Sequence, residues 1–246
     1  LDLVYGLPQQ TLESLDATLE QALALAPDRV AVFGYAHVPW MKAHQRLIDE
    51  TSLAGAEERH AMTALVARRL ADAGYRRIGL DHYALPQDGL AKAADGSALR
   101  RSFQGYEAER LDGTLGLGAS AITGLAEGYA QNRVETRSWA QAIAGGALAT
   151  ARGVSLGEED RLRARVIERL LCDFRVDLAR EAPDERALGA LAADLQALGP
   201  YLEDGLAEVS GLAIAVTERG RPWVRSLASV FDRYHRPESG RHARAV

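Results

Sequence analysis

The sequence predicts an α/β fold over residues 1–154 followed by a mainly helical domain over residues 155–246. Three observations support that expectation. Over the first third of the chain, short apolar runs alternate with segments whose apolar residues recur at the helical period, the pattern of strands separated by helices. After about Ser155 the helical period dominates. Within that tail, two short strand-like runs stand between helices, giving a helix–hairpin–helix order.

The elements follow in chain order. Residues 1–5 form an apolar strand closed by Gly6, Leu7 and Pro8. Thr11 can cap a helix whose apolar positions are Leu12, Leu15, Leu19, Ala22, Leu23 and Ala26, ended by Pro27 and Asp28. Residues 29–35, rich in Val and aromatics, read as a second strand, and a loop over 36–53 leads to a helix over 56–73 with Gly74 as its C-cap. A third strand is predicted over 77–83. Strands separated by helices imply parallel pairing, as in a (β/α) barrel or an open α/β sheet. Residues 84–105, punctuated by Pro, Gly and Asp, read as a long loop, of a length that is usually functional or mobile. A glycine-rich apolar stretch over 115–123 and a polar strand or hairpin over 129–136 follow. Helices over 160–174 and 184–198 are broken by Gly199 and Pro200; strands over 206–209 and 212–217 and a last helix over 222–234 complete the chain. This final order resembles a winged-helix unit. The chain opens inside a strand-like run without an initiator Met, which predicts a truncated polypeptide.

Composition narrows the function classes. With 246 residues, 47% hydrophobic and 26% charged, the chain can bury a sizeable core. A net charge of −5 argues against a dedicated nucleic-acid binder. No apolar run approaches the about 20 residues that span a bilayer, and the opening residues lack the basic character of a secretory signal. A cytoplasmic protein is the expectation. Cys172 is the single cysteine, in a helical pattern with Val166, Ile167, Leu170, Leu171 and Phe174, so a buried thiol is expected and any site needing several thiolates is excluded from this chain.

Candidate chemistry lies at strand ends. Asp2 interrupts an apolar strand, where an unpaired carboxylate is costly to bury, so the residue is expected either to bind a ligand, to pair with an arginine, or to be exposed by fraying of the strand. His37, in Tyr35-Ala36-His37-Val38-Pro39, directly follows the second strand and can act as acid, base or hydrogen-bonding group, or else as a satisfied structural histidine. Asp81 and His82 are adjacent, but neighbours along a strand point to opposite faces, so they are not expected to share one ligand, and no zinc spacing accompanies them. Gly116-x-Gly118-x-x-Ala121 superficially matches a dinucleotide fingerprint, without the following helix that such a site needs. Arg100 and Arg101 beside Phe103 and Gln104 offer cations that can grip carboxylates, or else two solvated charges. The tail carries Arg219, Arg221, Arg225, Arg233, Arg236 and Arg241 interleaved with Glu203, Asp204, Glu208 and Glu218. That mixture weighs against a DNA-reading face, which would be more uniformly basic.

The order of the motifs is more specific than any one of them. Asp2-Leu-Val-Tyr-Gly-Leu-Pro-Gln-Gln-Thr11, Phe33-Gly-Tyr-Ala-His-Val-Pro39, Gly79-Leu-Asp-His-Tyr-Ala84, Phe103-Gln-Gly-Tyr106 and Leu115-Gly-Leu-Gly-Ala-Ser-Ala-Ile122 occur in succession. In that order the chain resembles the oxygen-independent coproporphyrinogen III dehydrogenases (oxidases) of the radical S-adenosylmethionine superfamily. The likeness runs along essentially the whole chain, weakening in the helical tail and recovering at Phe231-Asp-Arg-Tyr234.

The resemblance implies a fold and a chemistry. The fold would be the last strands and helices of a partial (β/α) radical-SAM barrel, then a mainly helical domain with a small winged-helix-like hairpin. The reaction would be oxidative decarboxylation of two propionates of coproporphyrinogen III to vinyls by a 5′-deoxyadenosyl radical. The cofactors would be S-adenosyl-L-methionine and a [4Fe–4S] cluster ligated by cysteines outside this chain. An electron donor is a further expected partner, the full-length enzyme would be a monomer, and the isolated chain is expected to be inactive. Carried over by motif, Asp2, Ala36 and Ile122 would contact S-adenosylmethionine and Phe103 and Gln104 would serve activity. His37, Arg100 and Arg101 are weaker substrate-binding candidates, and no metal ligand is assigned. Two alternatives are a haem-binding, chaperone-like paralogue and a winged-helix nucleic-acid binder.

Overall fold

The computed structural model describes residues 1–109 and 111–235; Arg236 and Arg241 lie outside the described residues. The fold is mixed α/β. Strand β1 (Asp2–Tyr5) pairs in parallel with β2 (Arg29–Gly34), joined by helix α1 (Leu12–Ala24). Thr11 starts α1 as expected: its Oγ1 accepts from the Ser14 N–H at 3.2 Å, while Ser14 Oγ accepts from the Thr11 N–H at 2.9 Å. Helix α2 (Ala56–Asp72) carries Glu57 and Glu58 at its positive N-terminal end. Leu3, Tyr5, Val30, Val32 and Tyr83 pack with Leu15, Leu19, Met62, Val66 and Leu70 of the two helices.

The third strand departs from expectation. Residues 77–83 do not form one parallel strand. They split into β3 (Arg76–Ile78) and β4 (His82–Ala84), an antiparallel hairpin, and β4 is antiparallel to β2 as well, giving the order β1-β2-β4-β3. The cause is local. Gly79 turns the chain at φ +59°, a conformation few side chains tolerate, and the Tyr106 phenol occupies the space where a Cβ would sit. The Leu80 N–H donates to that phenol oxygen at 3.0 Å and so fixes the turn.

Residues 84–105 are likewise more ordered than a long loop. They contain α3 (Gly89–Asp95) and β5 (Arg100–Ser102), and β5 forms a hairpin with β6 (Gly105–Glu107). The punctuating residues lie at the element ends: Asp88 caps α3 by accepting from the Leu90 N–H at 2.7 Å. Strands β7 (Ile122–Leu125), β8 (Gly128–Asn132) and β9 (Thr150–Ser155) form an antiparallel sheet, with α4 (Thr136–Ala144) between the last two. The strand expected over 129–136 stops short because the Glu135 carboxylate accepts from the Arg137 and Ser138 N–H groups at 2.8 and 2.6 Å and opens α4 instead.

The remainder holds α5 (Glu158–Asp173), β10 (Arg175–Asp177), α6 (Leu178–Glu181), α7 (Glu185–Gly189), α8 (Ala192–Ala197), α9 (Gly199–Glu203), β11 (Ala207–Ser210), β12 (Ala213–Val216) and α10 (Val224–Ser229). The helix expected over 184–198 is two short helices, and Pro200, rather than ending a helix, falls in the first turn of α9, where its missing N–H costs nothing. Strand β10, not foreseen, follows a left-handed Phe174 at the end of α5 and joins the hairpin in the order β10-β12-β11. Leu162, Val166, Leu170, Leu198, Leu227 and Phe231 fill this core.

The two parts of the chain are bonded to each other. Tyr106 donates from its hydroxyl to the Leu171 carbonyl at 2.9 Å. Arg169 donates to the carbonyls of Ser97 and Leu99 at 3.2 and 2.8 Å. Cys172 is buried in a cluster that includes Leu90, Leu99 and Tyr106, and that burial pushes its thiol pKa up to about 12.

Candidate functional site

Strand register builds the site. Asp2 on β1 pairs with Ala31 on β2, Ala31 with His82 on β4, and His82 with Ile78 on β3. Paired residues present their side chains to the same face of a sheet, so Asp2, Ala31 and His82 form one row across three strands. The opposite face, with Leu3, Val30, Val32 and Tyr83, is the one covered by α1 and α2. A row of polar, small, polar is what a sheet face needs to admit a ligand between two hydrogen-bonding groups.

The β5–β6 hairpin forms the other wall. Ser102 pairs with Gly105, so Phe103 and Gln104 are the two residues of its tight turn. Leu1, Asp2, Arg29, Ala31, His82, Gln104, Tyr106 and Glu107 line a cleft of about 260 Å³ between the hairpin and the row. Two residues singled out from the sequence, Asp2 and Gln104, thus meet although they are far apart in the chain. Neither side chain has a hydrogen-bond partner among the described residues; the bond at Gln104 comes from its backbone N–H, to Ser102 Oγ at 3.1 Å. Arg29 is held at the edge by Asp88, at 2.9 and 3.1 Å.

His82 is the functional candidate that sequence reasoning left out of the site. Strand alternation predicts that Asp81 and His82 point to opposite faces, yet Asp81 lies in the turn before β4 and escapes that alternation. Its Oδ1 is 2.8 Å from His82 Nδ1. Arg101 and Arg225 approach the same carboxylate at 4.0 and 3.9 Å. Burial alone would raise the Asp81 pKa, but the His82 hydrogen bond and the two guanidinium groups outweigh it and hold the carboxyl below its ordinary value. The signal available in the sequence was register: His82 lies in the row of Asp2 once β4 is taken as antiparallel.

The other predicted residues lie elsewhere. The Arg101 guanidinium is stacked over the Tyr106 ring at 4.6 Å and lies 4.0 Å from Asp81, while the Arg101 backbone N–H donates to Glu168 Oε1 at 3.2 Å; the Arg100 guanidinium faces Glu168 at 3.9 Å. Both guanidinium groups therefore have carboxylate neighbours, Asp81 and Glu168. Phe103 turns away from the cleft lining and meets Tyr129 of β8 edge-on, with centroids 5.2 Å apart. Ala36 and His37 belong to a turn clamped by the buried amide of Gln45, which donates to the Ala36 carbonyl at 3.0 Å and accepts from the Val38 N–H at 2.6 Å. His37 Nε2 is 3.2 Å from Glu50 Oε1.

Ile122 opens β7. The glycine-rich stretch before it folds onto it: a Cβ at Gly116 would come within 2.6 Å of the Ile122 backbone, and Asn132 donates to the Gly116 and Gly118 carbonyls at 3.1 and 3.0 Å. Gly116 serves close packing of the loop on its own strand, whereas Gly118 has open space where a Cβ would sit and turns the chain at φ +109°; no helix opens behind them as a dinucleotide site would require. Among the described residues no group of His, Cys, Asp and Glu is arranged to hold a metal ion, and no helix is long and apolar enough to cross a membrane.

Known proteins give a consistent comparison. No family model matches the chain. An oxygen-independent coproporphyrinogen III oxidase of Bradyrhizobium diazoefficiens is 45% identical over 249 aligned positions, covering 100% of this chain and 55% of that protein. The oxygen-independent coproporphyrinogen III oxidase of Escherichia coli is 38% identical, covering 97% of this chain and 53% of that protein. A solved structure of the Escherichia coli coproporphyrinogen III oxidase, described as a radical SAM enzyme, superposes with a TM-score of 0.88 at 37% identity, over 95% of this chain and 54% of that one. The chain spans about half the length of the curated relatives it matches.

Proposed function

We propose that this chain, which is related along its whole length to the oxygen-independent coproporphyrinogen III oxidases, is the part of such an enzyme that faces S-adenosylmethionine and the tetrapyrrole. On this reading residues 1–154 are the closing portion of a partial (β/α) radical-SAM barrel with its substrate-facing loops. Residues 155–246 are the helical domain, with a winged-helix-like hairpin. The observation that carries the reading is that Asp2 and Gln104, whose side chains have no hydrogen-bond partner among the described residues, line one polar cleft.

The cleft suits S-adenosylmethionine. A carboxylate and an amide with unused hydrogen-bonding capacity match its hydroxyl and amino groups. The cluster is different: three or four thiolates are needed, and the single cysteine here is buried and held protonated. No residue of this chain fits that role, and its ligands would lie in other parts of the polypeptide. When bound, the two cofactors supply the hydrogen-abstracting radical that starts loss of CO₂ from each propionate.

The chain's own work is placement. Asp2 would accept hydrogen bonds from the adenosyl ligand, Ala36 would contribute its backbone and Ile122 its apolar side chain. Gln104 would have its backbone fixed by the tight hairpin turn while its amide is free to meet the ligand, and Phe103 would anchor that tip to the β7–β9 sheet. Coproporphyrinogen III would be the substrate, with a separate electron donor. The test is anaerobic turnover of coproporphyrinogen III by the full-length protein with S-adenosylmethionine and a reductant. Protoporphyrinogen IX and 5′-deoxyadenosine are the expected products. Their absence, with an intact cluster present, overturns the reading.

A further inference from the structure

We infer that His82 contacts the ligand of the cleft, its Nε2 accepting a hydrogen bond from an N–H or O–H group of the molecule bound beside Asp2 and Gln104. The inference rests on the functional reading above and adds a residue that the motif resemblance does not assign.

Four observations carry it. His82 stands in the same sheet row as Asp2, with only the small Ala31 between them, and lines the same cleft. Its ring is fixed in orientation, edge-on to Phe33 and Tyr106 with centroids 6.1 and 5.2 Å away and interplanar angles of 83° and 80°. Asp81 can only accept a hydrogen bond when ionised, so the 2.8 Å contact places a ring hydrogen on Nδ1, and in the neutral ring Nε2 is then the acceptor. Lastly, Gly105 leaves that edge of the ring uncovered: a Cβ there would sit 3.1 Å from Cε1 and 3.2 Å from Nε2.

A histidine serving only the core would be expected to have both nitrogens satisfied by protein. Here the ring's hydrogen bond among the described residues is the one to Asp81. The carboxylate–imidazole pair therefore acts as an oriented acceptor, with Asp81 as its positioning residue. Two donors fit this chemistry on the proposed reaction: a hydroxyl or amine of the adenosyl ligand, or a pyrrole N–H of the tetrapyrrole.

The experiment uses the full-length protein with His82→Asn, which keeps an amide opposite Asp81 and deletes the Nε2 position, and His82→Gln, which returns an amide oxygen near it. Affinity for S-adenosylmethionine is read by calorimetry, and KM for coproporphyrinogen III by product formation. Loss of a neutral hydrogen bond corresponds to roughly 3- to 10-fold weaker binding. That loss in calorimetry, partly restored by Gln, assigns the donor to the adenosyl ligand. The same change in KM with calorimetry unaltered assigns it to the tetrapyrrole. Variants equal to wild type in both overturn the inference and leave the functional reading intact, whereas wild type that neither binds nor turns over removes the reading itself. Should the variants misfold, the ¹⁵N shift of His82 Nε2 in the wild-type protein decides. A change on adding either ligand supports the contact, and constancy with both overturns it.

Discussion

Asp81 Oδ1 and His82 Nδ1 lie 2.8 Å apart although the two residues are consecutive, because the first ends a turn and the second begins a strand. The carboxylate also faces Arg101 of the β5–β6 hairpin and Arg225 of α10, so one side chain links the sheet, the hairpin and the C-terminal core. Replacing Asp81 by Asn should cost about 1–3 kcal/mol at neutral pH, since two guanidinium groups lose their shared counter-charge. The sign with pH follows from the depressed carboxyl. Its stabilisation is complete above the ordinary aspartate value of 3.8 and is lost as pH falls below that toward the folded value. Urea unfolding of wild type and Asp81→Asn should therefore differ at pH 7 and converge under acid; curves separated equally at every pH would refute the assignment.

Tyr106 joins the same region through its hydroxyl, which accepts from the Leu80 N–H at 3.0 Å and donates to the Leu171 carbonyl at 2.9 Å. Burial pushes that phenol's pKa up to about 12, so it stays protonated through the neutral range. Tyr106→Phe leaves a backbone N–H and a carbonyl without their partner, at a cost of about 1–3 kcal/mol. Amide exchange at Leu80 should accelerate in the variant more than at Leu15, which packs in a separate core; equal acceleration at both would point to global loosening instead.

Much of this arrangement was legible in the sequence, and the gaps have physical causes. The parallel pair β1 and β2 with α1 between them followed from alternation and from the Thr11 cap. The hairpin β3–β4 did not, because Gly79 inside an apolar run breaks the strand only through the packing of Tyr106, a residue 27 positions on. Asp2 and Gln104 are both marked by their chemistry, but their placement on one cleft depends on how the separate β5–β6 hairpin packs beside the β1-β2-β4-β3 sheet, which no local pattern encodes. The Gln45 clamp on Ala36 left no trace in the sequence at all: an amide in a polar loop looks solvated until its two backbone partners are seen.

Gln104 supplies a clean separation of activity from stability. Its side chain has no partner among the described residues, so Gln104→Ala should change folding stability by no more than about 0.5 kcal/mol. In the full-length enzyme the same substitution is expected to lower turnover of coproporphyrinogen III by about 10-fold or more, the loss of one positioned polar contact. Activity at the wild-type level would remove Gln104 from the site. Phe103→Ala should differ in kind, lowering activity while also loosening the hairpin tip from Tyr129.

Cys172 should resist alkylation. Its thiol is buried and its pKa is raised to about 12, so at pH 8 it presents almost no thiolate in the folded chain. Iodoacetamide labelling, followed by mass spectrometry, should be slow in buffer and fast in urea, with a midpoint matching the unfolding transition. Rapid labelling without denaturant would contradict the packing around α5.

Arg163 is the strongest single test of the C-terminal core. It is 8% exposed, pairs with Glu159 at 2.8 Å and Asp194 at 2.6 Å, and donates to the carbonyls of Phe231 and Ala190 at 3.1 and 3.0 Å. One guanidinium thus ties α5 to α8 and to the segment after α10. Arg163→Met fills similar volume but leaves Asp194 and two carbonyls without a donor, and breaking such a pair from one side costs about 3–5 kcal/mol. Asp194→Asn in the same background should recover part of that loss, because the uncompensated buried charge is removed. Urea unfolding followed by far-ultraviolet circular dichroism should show a transition shifted to lower urea in Arg163→Met that returns partway in the double variant. Additive losses in the two single variants would mean that the pair is not coupled, and the network would then be a set of independent contacts rather than the element that closes this core.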